Sequence, residues 1–375
     1  MNPLKHIAPA ALGLCGLLCV VTAQASRLSG IPNSSSLFDQ YITKTLNKES
    51  VPGAIIGIWQ AGQPAYIRAF GVADIAQKKP LSTRMIMPVG GIAASFTATI
   101  VLELAKNHKI SLTSPVSHYL PDVPDGDQIT VADLVQMRSG LTDYLRDPAY
   151  LREVAAHPDN RLSPQQLLSF SFKHPLLFRP GSRFDYSSTN NILLGLIIEK
   201  VTGRPLSQVM AEQLLRPYKL RETAFSTSFA EPFLKVKGYQ YSPDDHKMLP
   251  VAWNPSLYWA SGAMTSSVGD LKRWAKINAD HIISAPVTAH AKSAADGMTS
   301  MHYLWGSLES HGWIGNVSRM AGFETVAIYS PKYKDTIVIM MNSDAQEHGS
   351  AVAAHLAEQI SKFITPQAIF QPLPQ

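Results

Sequence analysis

Apolar residues fall into two rhythms along this chain. Ala54-Ile55-Ile56-Gly57-Ile58-Trp59 and Ala65-Tyr66-Ile67-Arg68-Ala69-Phe70 are short apolar runs parted by Ala61-Gly62-Gln63-Pro64. That pattern predicts two strands and a turn. A second pair of strands is predicted at residues 325–329 and 335–341, where Val326, Ile328, Ile337, Val338 and Ile339 cluster. Between and around these pairs the period lengthens. Leu37, Tyr41, Ile42 and Leu46 place an amphipathic helix over residues 35–47. Residues 95–106 read as a second helix. Ile192, Leu193, Leu196, Ile197 and Val201 form a stripe that stops at Gly203. Residues 351–364 read as a closing helix. The middle third is helical and rich in loops, with a turn cluster at Pro121-Asp122-Val123-Pro124-Asp125-Gly126-Asp127.

Strands at both ends with helices between them imply an α+β fold. The terminal segments, about 33–90 and 250–365, would build one antiparallel sheet flanked by helices. An inserted, mainly helical lobe would span about 91–249. Together they make a single domain over 26–365, with the cleft between the lobes as the place for a site. Residues 366–375, rich in proline and glutamine, are expected to be a loose tail.

The first 25 residues change the picture of where the chain works. Lys5 precedes an apolar run from Ala8 to Val21, and Ala23-Gln24-Ala25 is a small-x-small cleavage site. This is the layout of a cleaved signal peptide, so a periplasmic or secreted protein is expected, with no stable membrane span after cleavage. Both cysteines, Cys15 and Cys19, lie inside that segment. The mature chain would hold no thiol, which excludes disulfides, cysteine nucleophiles and thiolate metal sites. The formal charge of +5 is scattered, with no basic run interleaved with aromatics. Nucleic acid is therefore not an expected partner. Asp244-Asp245-His246 and the Asp122–Asp127 cluster lack the ligand spacing of a metal site, and no glycine-rich phosphate loop follows a predicted strand. Neither metal nor cofactor is expected.

The segment from Met87 to Lys106 carries the chemistry. It reads Met87-Pro88-Val89-Gly90-Gly91-Ile92-Ala93-Ala94-Ser95-Phe96 and continues as an apolar helix. Further on come Leu134-Val135-Gln136-Met137-Arg138-Ser139-Gly140-Leu141, then Phe178-Arg179-Pro180-Gly181 leading to Tyr186-Ser187-Ser188-Thr189-Asn190, then Ser261-Gly262-Ala263-Met264-Thr265-Ser266. In that order these stretches resemble the serine β-lactamase and penicillin-binding protein superfamily. The likeness is to its class C branch, which also holds DD-peptidases, D-aminopeptidases and esterases. It covers nearly all of the mature chain and implies that family's fold.

The resemblance also implies three catalytic clusters, and each departs from the family's pattern. The family helix opens with Ser-x-x-Lys, a spacing that puts base and nucleophile on one helix face. Here those positions read Gly91 and Ala94, and no Ser-x-x-Lys or Gly-x-Ser-x-Gly occurs anywhere in the sequence. The family's Tyr-x-Asn keeps its tyrosine as Tyr186, whereas the asparagine position is Ser188. On the cleft strand, anchoring on Gly322-Phe323 puts Asn316 at the family's cationic position and Ser318 at its glycine. The resemblance places the oxyanion-hole amides at Gly91 and Arg319, and Arg319 would add a charge there.

A protein without acylation chemistry but with a surviving pocket is the resulting expectation. Its occupant would be a peptidoglycan-derived peptide, a β-lactam-like ligand or a protein partner. Two alternatives stand beside it. One is an active serine-type hydrolase with a rearranged site that uses Tyr186, Ser95 or Ser188. The other is a structural or assembly protein.

Overall fold

The computed structural model describes residues 35–226, 235–242, 247–284, 293–294, 301–347 and 350–372. The expected signal segment and Asp244-Asp245-His246 lie outside the described residues. Among the described residues the central sheet has nine strands. In chain order they are β1 (Gly53–Trp59), β2 (Tyr66–Asp74), β3 (Lys79–Pro80), β4 (Ser293–Ala294), β5 (Met301–Leu304), β6 (Ser307–Ser310), β7 (Trp313–Met320), β8 (Phe323–Ser330) and β9 (Asp335–Met341). They lie side by side as β3-β2-β1-β9-β8-β7-β6-β5-β4, and the pairings are antiparallel. The two predicted strand pairs therefore meet in one sheet, as β1 pairs with β9 from Ala54 opposite Met341 to Trp59 opposite Thr336.

The helices are α1 (Ser35–Lys48), α2 (Ala93–Lys106), α3 (Val131–Val135), α4 (Pro148–Ala156), α5 (Pro164–Phe172), α6 (Ser188–Thr202), α7 (Leu206–Met210), α8 (Val268–Ser284) and α9 (Val352–Ile364). The sheet's two faces sort its side chains by alternation. Ala54, Ile56 and Ile58 of β1 join Ile42 of α1 and Leu356 and Ile360 of α9 in one apolar cluster. Ile55, Val338 and Met340 point the other way, into a larger cluster with α8, α2 and α6. Covering on both faces is why β1 reads as an unbroken apolar run instead of an alternating one.

α2 lies at the centre of the larger cluster. Phe96 stacks on Trp274 of α8, with ring centroids 3.6 Å apart and planes 11° apart. Ser95 Oγ accepts from Trp274 Nε1 at 2.9 Å and donates to the Ile92 carbonyl at 2.7 Å. The head of this helix is thus fixed by packing and hydrogen bonds, not by a side-chain cap.

Residues 366–372, the described part of the tail expected to be loose, are held against the body of the fold. Phe370 is 1 % exposed and belongs to the α1–α9 cluster. The Phe370 amide donates to Ser361 Oγ, Trp313 Nε1 donates to the Ala368 carbonyl, and Ser310 Oγ donates to the Gln371 carbonyl. Phe370 and these three hydrogen bonds together anchor the described part of the tail.

Candidate active site

The chain enters the site along a short strand, Met87–Pro88, that pairs with Met264–Ser266. The Val89 amide donates to the Met264 carbonyl at 3.0 Å. Gly90 then turns with φ +51°, a left-handed conformation that costs glycine little. A single 3-10 turn, Gly90–Ile92, runs straight into α2. Gly91 sits on that turn. Its amide donates to Ser318 Oγ of β7 at 2.6 Å. A Cβ placed on Gly91 would lie 3.5 Å from Ser318 Oγ and 3.8 Å from Tyr186 Oη. Gly91, Tyr186 and Ser318, far apart in sequence, therefore converge on one point. Ala94 follows on α2, is buried, and lies under the Trp305-Gly306 turn, where a Cβ on Gly306 would stand 2.8 Å from the Ala94 carbonyl.

Tyr186 precedes α6 and reaches toward Gly91 from the helical side. Asn191 Nδ2 donates to its hydroxyl at 3.4 Å. Its ring meets Tyr303 of β5 edge-on, with centroids 6.2 Å apart, and the Tyr303 ring also lies 5.4 Å from that of Phe184. Burial, helped by the nearby Asp143 charge, pushes the Tyr186 phenol up to about 12, although hydrogen bonds with Ser188 and Asn191 oppose the rise. Tyr186 is therefore a neutral phenol near neutral pH, able to donate a hydrogen bond but not to act as a standing base.

Ser188 is buried behind it. The Ser188 amide donates to Asp143 Oδ1 at 3.1 Å. Burial raises the Asp143 carboxyl, while the Leu145 amide, the Arg146 charge and Ser188 pull it back. Asp143, Tyr303 and Asn191 were not among the sequence candidates. Asp143 lies just after the quoted Ser139-Gly140-Leu141 stretch, but its approach to Tyr186 depends on how two loops fold together. Tyr303 carries no motif signal at all. Its hydroxyl is buried and has no hydrogen-bond partner among the described residues.

The side chains of Asn316 and Arg319 are engaged away from Gly91. Asn316 Nδ2 donates to the Gly306 carbonyl at 2.7 Å, and its Oδ1 accepts from Ser307 Oγ at 3.1 Å. Ser307 Oγ in turn accepts from Asn278 Nδ2 at 2.8 Å. This buried chain ties β7, β6 and α8 together, so the side chain at the family's cationic position is spent on scaffold. Arg319 alternates to the opposite sheet face from Ser318, is exposed, and pairs in register with Glu324 of β8. Its charge favours ionisation of Glu324 instead of reaching the cleft. Ser95 is also out of reach as a nucleophile, because its hydroxyl is buried between Ile92 and Trp274.

A model of the beta-lactamase family matches residues 38–362. The chain belongs to that family. Among curated relatives, Protein flp of Staphylococcus aureus (strain MW2) is 24% identical over 345 residues, an alignment covering 88% of this chain and 67% of that protein. A D-aminopeptidase of Cereibacter sphaeroides (strain ATCC 17029 / ATH 2.4.9) is 24% identical over 331 residues, covering 84% of this chain and 62% of the relative. The chain thus spans about two thirds of the length of these relatives. Among solved structures, the D-amino acid amidase from Ochrobactrum anthropi SV3 superposes with a TM-score of 0.74 at 19% identity, over 88% of this chain and 99% of the other. At that identity the likeness shows a shared fold, in agreement with the α+β sheet-and-helix architecture expected from the sequence.

Within this beta-lactamase family frame, the described residues can be set against the positions that the resemblance implies. The backbone turn, the tyrosine and the cleft strand are in place around Gly91. The resemblance aligns Gly91 and Ala94 with the family's serine and lysine, and neither residue carries a hydroxyl or an amine. The surviving amide donor is engaged by Ser318.

Proposed function

We propose that this protein is an exported member of the beta-lactamase family that binds its ligand reversibly and does not acylate. The observation that supports this reading most directly is at Gly91. The position that would carry the attacking hydroxyl has no side chain, although Tyr186 and Ser318 still stand around it. Loss of a hydrolase nucleophile costs on the order of a million-fold in turnover, and the neutral Tyr186 phenol supplies no replacement base. The ligand we propose is a peptidoglycan-derived peptide carrying a D-residue. A relative named a D-aminopeptidase and a structural neighbour named a D-amino acid amidase support that chemical class.

Incubation of the purified mature chain with a fluorescent penicillin, a chromogenic cephalosporin and short acyl esters tests the absence of acylation. No adduct and no saturable turnover are expected, together with heat of binding for muropeptides by calorimetry. A covalent adduct, or turnover that disappears in Tyr186→Phe, would establish the rearranged-hydrolase alternative instead. No binding across a muropeptide panel would leave the structural role. Export is checked by fractionating cells that express the full-length chain, where a product beginning at Ser26 outside the cytoplasm is the expected result.

A further inference from the structure

The amide of Gly91 is already in use. It donates at 2.6 Å to Ser318 Oγ, an oxygen carried on a side chain that is 5 % exposed. The seat of this hydroxyl is shaped by both glycines. A Cβ on Gly90 would collide with Ser318 Oγ and stand 3.1 Å from Met320 Sδ, so the seat needs glycine there. Gly91 leaves ordinary van der Waals space beside the same oxygen, with Tyr186 Oη across that space. Ser318 Oγ therefore stands at the head of α2, between a backbone donor and a phenol. A hydroxyl oxygen and a ligand carbonyl oxygen accept the same kind of bond from an N–H. A single well-aligned N–H serves one of them at a time.

We propose that Ser318 acts as an internal stand-in for the ligand's carbonyl oxygen, a side-chain gate that a carbonyl-bearing ligand must displace from the Gly91 amide. The proposal rests on the cleft-binding reading given above. Displacement exchanges one hydrogen bond for another, so a neutral carbonyl gains little from the exchange. A carboxylate oxygen makes bonds roughly twice as strong and wins it. Ser318 thereby sets one threshold for both kinds of ligand, which a ligand ending in a carboxylate passes more readily than its neutral amide.

Two probes and one resonance test this. The ¹⁵N-labelled mature chain is titrated with N-acetyl-D-alanine and with N-acetyl-D-alaninamide, in wild type, Ser318→Ala and Ser318→Gly. The Gly91 amide, assigned by its loss in Gly91→Ala, reports the gate directly. In both variants the amide is expected to shift upfield while the rest of the spectrum stays folded. Both probes should bind about tenfold tighter, the size of one released hydrogen bond, with the preference for the acid over the amide unchanged. A Gly91 resonance that does not move in either variant overturns the gate. So does wild-type binding that neither variant improves, and in that case the cleft-binding reading stands. If no form binds either probe, the reading of a D-residue ligand falls and the gate falls with it.

Discussion

Gly91 and Ser95 sit four residues apart, and the fold treats them in opposite ways. Gly91 has unfilled space where a side chain would go, whereas Ser95 is enclosed by Ile92 and Trp274. Gly91→Ser should therefore fold with a stability change within about 0.5 kcal/mol, as expected where no strain or cavity is created, measured by urea unfolding. Adding Ala94→Lys places an amine at a buried position. The double variant should fold, and its acylation by fluorescent penicillin checks whether the loss of Ser and Lys is what silences the site. Ser95→Ala removes the acceptor of Trp274 Nε1 and should cost about 1–3 kcal/mol, the penalty of stranding a buried donor. Equal stability of the Ser95 variant and wild type would show that its hydroxyl is idle. Motif order singled out Gly91, Tyr186 and Ser318 as candidates, and the fold brings them together. The Gly91–Ser318 bond was not legible, because it joins residues 227 positions apart. The scaffold role of Asn316 was equally hidden, since its partners come from the Gly306 turn and from Ser307.

Among the secondary-structure elements, α9 carries a titratable lock. Glu324, at the start of β8, is buried, and its Oε2 accepts from the Ala353 amide at 2.8 Å in the first turn of α9. Burial raises its carboxyl to about 8, although the Ala353 and Val352 amides and the Arg319 charge oppose the rise, and Asp344 adds to it. The folded value lies above the ordinary carboxylate value of 4.5. The native state therefore holds this proton more tightly than the unfolded chain does. Its stabilising effect is complete below the unfolded value and is lost as pH rises through about 8. Urea unfolding at pH 6 and pH 9 should show wild type losing stability at the higher pH, and Glu324→Gln losing less. Parallel losses in the two proteins would mean that another group governs the slope.

The tail is held by a different kind of contact. Phe370→Ala removes a side chain that is almost wholly enclosed and should cost about 3–5 kcal/mol, the usual range for truncating a buried phenylalanine. Thermal unfolding of the variant checks this, and a negligible change would return the tail to its expected loose state. The long strands and helices were legible because burial on one or two faces leaves a period in the sequence. The strands β5 and β6 were not, as each is four residues long and too short for a period to show.

At the scale of the whole molecule, the two parts of the chain meet where Phe184 and Tyr186, from the helical side, contact Tyr303 of the sheet. Tyr303→Ala should leave the sheet paired but loosen this contact, seen as a change in tyrosine environment by near-ultraviolet circular dichroism. If ligand affinity in the cleft is unaltered by that change, the aromatic bridge does not shape the binding surface. The sequence by itself determined the fold class, the family resemblance and the missing Ser-x-x-Lys, because hydrophobic period and motif order are written locally. Only the tertiary structure decided what became of the remaining groups. It bonded Ser318 to the Gly91 amide, turned Asn316 into scaffold, sent Arg319 to the opposite face and held a half-buried Tyr186 as a neutral phenol. Each of those outcomes depends on which distant atoms share a few ångströms, and on how burial and nearby charge set the cost of ionisation.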